Sequence, residues 1–81
     1  MLHVGFTVWF KSNADLRSIL KAVERLEKRR GIVSAVQLAN QYGGTTYLFV
    51  LSDANADGFQ DALRGEKTVR EFSRNDRGQE D

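Results

Sequence analysis

An α+β fold, with four antiparallel strands and two helices on one face, follows from three features of this 81-residue chain. Residues 2–10, LHVGFTVWF, alternate apolar and small or polar side chains, the period of a half-buried strand. Residues 12–31 repeat apolar positions every three or four residues and stop at a glycine, the pattern of an amphipathic helix with its end signal. The remainder then reads as strand, turn, strand, helix and a last short strand.

In the first strand, Leu2, Val4, Phe6, Val8 and Phe10 share one side, and His3, Gly5, Thr7 and Trp9 the other. The helix that follows carries Leu16, Ile19, Leu20, Val23 and Leu26 on one face. Ser12 or Asn13 is the expected cap, and Asp15 suits the positive end of the dipole. Lys28, Arg29 and Arg30 suit the negative end, and Gly31 the C′ position. IVSAVQLA (32–39) and TTYLFVLS (45–52) read as a hairpin joined by NQYGG, where Gly43 and Gly44 can take positive φ. A second helix is expected from about Ala54 to Arg64, with Phe59, Ala62 and Leu63 inward and Gly65 beyond its end. KTVREF is a short edge strand. Residues 1–73 thus form one domain, and 74–81 read as a polar, flexible C-terminal tail. The order βαββαβ is the ferredoxin-like arrangement. Its two right-handed crossovers put both helices on one face of the sheet and leave the other bare.

Composition narrows the function classes. There is no cysteine, so disulfides and thiolate chemistry are excluded, and a reducing compartment, the cytoplasm, is expected. Twelve basic residues against eleven acidic ones leave a net charge of +1, which gives no general attraction to nucleic acid or anionic membranes. No long apolar run and no basic-plus-apolar leader is read, so no membrane partner is expected.

The stretch DANADG, Asp53 to Gly58, begins like a calcium loop. Asp53, Asn55 and Asp57 supply the alternating oxygen ligands and Gly58 the sharp turn. The position of the closing bidentate carboxylate is held by Arg64, Gln60 stands where an aliphatic residue is usual, and a strand precedes the loop. A helix start explains the same residues, with Ser52 or Asp53 as cap and Asp57 against the dipole. Neither a metal nor a cofactor is therefore expected. His3 is the only histidine, and it has no sequence neighbour that would make it a proton-transfer partner. The run Lys28, Arg29, Arg30 reads as a solvated helix end.

The bare face is the candidate site. Trp9, His3 and Thr7 point to it by strand parity. In the third strand the uniformly apolar set Leu48 and Val50, with Thr46, is assigned to the helices, which sends Tyr47, Phe49 and Leu51 outward. For the second strand both parities stay open. A contiguous patch of Trp9, Tyr47, Phe49 and Leu51 would need a cover. The expected site, a ligand-binding surface or dimer interface, is His3, Thr7, Trp9, Tyr47, Phe49 and Leu51.

HVGFTVWFK and GGTTYLFVLSDANADGFQDALRG resemble the dimeric α/β-barrel superfamily, and residues 2–73 can be laid on its pattern. That resemblance implies a homodimer through the open sheet face. It also implies the alternative of a small enzyme working in a cavity beside the sheet, with His3 as the first-strand histidine that serves some members. GIVSAVQLANQYGGTTYLFVLSD is similar to the middle of ACT-like amino-acid-sensing domains, which implies a small-molecule effector at a pairing interface. Ser12, Asn13 and Ala14 stand where that family has a glycine. TTYLFVLS also resembles the ribonucleoprotein octamer of RNA-recognition motifs at Tyr47, Phe49 and Val50, with Trp9 as a first-strand stacker. It lacks the leading basic residue and glycine, and the near-neutral charge argues against nucleic acid. The reading expected from the sequence is a small homodimeric ligand-binding or regulatory module, with a small dimeric α/β-barrel enzyme acting beside the sheet and a single-stranded RNA-binding domain as the alternatives.

Overall fold

The computed structural model describes residues 2–38 and 44–75. Its elements are β1 (His3–Phe10), α1 (Leu16–Glu27), β2 (Ile32–Leu38), β3 (Thr46–Ser52), α2 (Ala56–Arg64) and β4 (Val69–Asn75), with a 3₁₀ turn at Asp53–Asn55 leading into α2. The strands form one antiparallel sheet in the order β2-β3-β1-β4. This is the α+β sandwich that the sequence predicts.

The core lies between sheet and helices. From β1 it takes Val4, Phe6, Val8 and Phe10, and from α1 Ile19, Ala22, Val23 and Leu26. From β3 it takes Tyr47, Phe49 and Leu51, and from α2 Ala56, Phe59 and Leu63. The Phe59 ring sits 5.1 Å from that of Phe6 and 5.2 Å from that of Phe49, both tilted, within the range of favourable aromatic pairs.

This reverses the expected parity of the third strand. Tyr47, Phe49 and Leu51 face the helices, and Phe49 and Leu51 are fully buried. The register explains why. β1 and β3 pair Val4 with Leu51, Phe6 with Phe49 and Val8 with Tyr47, and residues directly opposite in an antiparallel pair share a face. The larger aromatic set fills the layer under α2. Tyr47 sits at its rim, stacked on Phe49 and edge-on to Phe10, each 6.0 Å away. Thr46, Leu48 and Val50 are the residues left on the open face.

Three local expectations also change. The cap of α1 is Asp15, whose carboxylate accepts the Ser18 backbone N–H at 2.7 Å; Ser12 and Asn13 lie too far before the first turn. Leu16 and Leu20 are 63% and 47% exposed, because Ala22 rather than Leu20 completes the inward face with Ile19, Val23 and Leu26. At α2 no side chain caps the helix. Neither Ser52 nor Asp53 takes that place, and the Asn55 amide donates to the Ser52 hydroxyl instead. β4 reaches Asn75, so Arg74 and Asn75 belong to the sheet rather than to the tail. Residues 76–81 and the turn residues 39–43, Gly43 included, lie outside the described part, and Gly44 has no positive φ.

Two glycines have opposite meanings. α1 already ends at Glu27, so Gly31 is not its C′ residue; it starts β2 at φ 92°. Its carbonyl accepts the Ser52 N–H at 3.0 Å, and a Cβ there would collide with the Asn55 amide and lie 2.8 Å from the Ser52 hydroxyl. Gly58 lies inside α2, where a Cβ would meet only the Arg29 guanidinium, at an ordinary 3.6 Å.

Gly58→Ala is therefore expected to stabilise by about 0.5–1 kcal/mol, through helix propensity and a less flexible unfolded chain. Gly31→Ala should destabilise by more than the ~1–2 kcal/mol of a left-handed residue alone, since it adds a collision. Paired thermal melts check both signs.

Hydrogen bonds from the Ser18 backbone N–H and hydroxyl hold the exposed Asp15 carboxyl below its ordinary pKa. With the folded value lowered, the unfolded chain binds the extra proton, so this contribution is full above the usual Asp range and is lost as pH falls through the lowered value. Asp15→Asn keeps an acceptor at the cap without titrating. The melting-temperature difference between parent and variant should change below about pH 4 and stay constant above it.

Candidate functional site

With the parity corrected, the open face is built from cross-strand rows. One row runs Ser34, Val50, Gly5, Asn75; the next Val36, Leu48, Thr7, Ser73; the next Leu38, Thr46, Trp9, Glu71. Each passes from β2 to β4. The β2–β3 half is apolar, with Val36, Leu38, Leu48 and Val50, and the β4 half is polar, with Glu71, Ser73 and Asn75. Thr7 lies between them, and Ser34 and Thr46 are the polar members of the β2–β3 half. A register shift between Trp9 and Phe10 displaces β4 at the Trp9 end.

Of the residues expected at this site, the structure brings His3, Thr7 and Trp9 together on one face of β1, all half-buried. Tyr47, Phe49 and Leu51 stand on the opposite face. Val36, Leu38, Leu48 and Val50 take their place, a set the sequence analysis assigned to the core or left open. The signal that finds them is the β1–β3 pairing, which no single strand's alternation contains.

Gly5 makes a hollow near the centre of the face. It lies between His3 and Thr7 along β1, opposite Val50 and Asn75 in the neighbouring strands, and Leu48 Cδ1 leans to 3.7 Å of where a Cβ would be. His3 stands opposite Ser52. The Leu48 side chain leans over this hollow, His3 and Thr7 flank it along β1, and the Ser52 hydroxyl opposite His3 is held by the Asn55 amide.

The acidic stretch at the start of α2 is spent on structure. Asp57 and Gln60 both accept from Arg74 Nη1, at 2.8 and 2.9 Å, while the Arg74 guanidinium lies 5.8 Å from the Phe6 ring centre. This ties β4 to α2. On the other flank Arg25 donates twice to Glu66, at 3.1 and 2.7 Å, and the pair raises the Arg25 pKa. Among the described residues no cluster of His, Cys, Asp or Glu is placed to hold a metal, and no helix is long and apolar enough to cross a membrane.

No protein-family model and no curated protein matches the chain. Among solved structures it is similar to a structural-genomics protein, YJCS, with a TM-score of 0.53 and 16% identity over 91% of this chain and 96% of that one. At that identity the likeness is one of fold.

Calcium at millimolar concentration should leave the melting temperature unchanged, because the DANADG segment is helical and Asp57 is held by Arg74. A rise of several degrees that Asp53→Ala removes would overturn this.

Proposed function

We propose that the chain is a small homodimeric ligand-binding or regulatory module of the cytoplasm, pairing through its open sheet face around a small polar effector. The observation that carries this reading is the apolar half-face of Leu48, Val50, Val36 and Leu38 beside Trp9, on a chain whose core is small for its surface. A second copy would cover these side chains and close the hollow at Gly5, with His3 and Thr7 as the polar contacts to the effector. The burial of Tyr47 and Phe49 removes two of the three aromatic stackers on which single-stranded RNA binding would rest. Among the described residues the His3 imidazole has no hydrogen-bonded or ion-paired partner to support a catalytic reading.

Size sets the expected strength. Four strands about 4.8 Å apart and roughly seven residues long project an area of only ~400 Å². Even allowing for side-chain relief, this is small against the ~800 Å² per partner of a standard interface. The face-to-face dimer should therefore be of micromolar affinity and should tighten when an effector fills the hollow.

Leu48→Glu sets a charge at the centre of the face without touching the core. Sedimentation across the micromolar range should show a monomer–dimer equilibrium for the parent and at least about tenfold weaker association for the variant, at unchanged circular dichroism. A parent that stays monomeric at high micromolar concentration sinks the proposal.

A further inference from the structure

The two edges of the sheet are built differently. β4, VREFSRN, carries Arg70, Glu71 and Arg74, the charges that keep an edge strand from pairing with another chain. β2, IVSAVQL, carries no charge and no proline, and most of it is exposed. Its register is irregular only at Ile32–Ser34, so Ala35 to Leu38 present a flat, unguarded backbone.

The flank of α1 above this edge is apolar as well. Arg25 and Arg29 mark the side turned to α2, since they bond Glu66 and the Gly58 carbonyl. At 100° per residue Leu16 and Leu20 lie about 140–180° round the helix from Arg25, on the side away from α2. There they line an open groove of about 310 Å³ with Arg17, Lys21 and Glu24.

We propose that the β2 edge and this flank of α1 form a second self-association surface, on which another copy of the chain docks by antiparallel β2–β2 pairing about a two-fold axis. The occupant follows from spacing and charge. Two strands span about 9.6 Å, close to the 8–10 Å between packed helices. A sheet that continues across the β2 edge therefore continues its helix layer at the same interval, with the two α1 flanks in contact and Leu16 and Leu20 covered. The two-fold runs these helices antiparallel. Centred between Leu20 and Lys21, it sets Arg17 of one copy against Glu24 of the other, twice over, so the charged rim of the groove is complementary to itself. This surface is separate from the open face and goes beyond the dimer proposed above.

Hydrogen exchange separates the surfaces, because only edge pairing engages the outward backbone amides of β2. In the parent, β2 amides should exchange about tenfold more slowly at high than at low micromolar concentration. The double variant Val33→Lys and Gln37→Lys, at two exposed positions, should abolish that slowing with the circular dichroism unchanged. Leu48→Glu should leave it intact while weakening face pairing at least about tenfold. Concentration-independent exchange in β2 would overturn the inference, as would undiminished association of the double-lysine variant in the Leu48→Glu background. Slowing that appears only when an extended peptide is added would overturn the second copy as occupant.

Discussion

The pairing of Phe6 with Phe49 across the two central strands is the contact on which the rest of the molecule depends. With both rings against Phe59, it decides which face of the sheet carries the helices. It thereby decides which residues are left for solvent or a partner. A slip of one residue between β1 and β3 would turn the whole buried set of β3 outward. The deep aromatic layer and the modest open face are thus two results of a single register.

Some of this is legible in the sequence and some is not. β1 alternates large apolar residues with Gly5, Thr7 and His3, so its parity, and with it the placing of Trp9, can be read directly. β3 is different. Thr46, Leu48 and Val50 on one side and Tyr47, Phe49 and Leu51 on the other are both apolar enough for a core, and the choice rests on volume between layers rather than on hydrophobicity. Tyr47 adds to the ambiguity, since an aromatic ring with a hydroxyl suits a rim as well as a surface. In α1, Leu20 and Ala22 flank the Ile19, Val23 and Leu26 stripe on opposite sides, and the structure buries Ala22 while Leu20 stays 47% exposed. Asp15 caps α1 although Ser12 and Asn13 are equally good capping types, because the turn at residues 11–14 delays the first helical residue to Leu16.

The candidate site inherits this division. Its β1 members are visible from one strand's period. Its β2 and β3 members depend on a long-range pairing, and the contrast between a charged β4 edge and an uncharged β2 edge has meaning only once the strand order is known. The ion pairs Arg25–Glu66 and Arg74–Asp57 are likewise consequences of topology, each joining elements far apart in sequence. One side chain of each pair, Arg25 and Asp57, is well exposed, so the pairs contribute little to stability and serve to fix how the helices and the last strand sit on the core.

The central position of β1 has a consequence in time. It is the first strand in the sequence, yet its two neighbours are β3 and β4, and Gly5 finds its partner Asn75 near the far end of the described chain. During synthesis β1 emerges with both of its hydrogen-bonding edges unpaired and with Phe6, Val8 and Phe10 uncovered. One edge waits for β3, which ends at Ser52, and the other for β4, which ends at Asn75. Contacts of such sequence separation make for slow folding, and the interval leaves an apolar strand open to wrong partners. Local helix formation by α1, with its own Asp15 cap, is what the nascent chain can complete in the meantime.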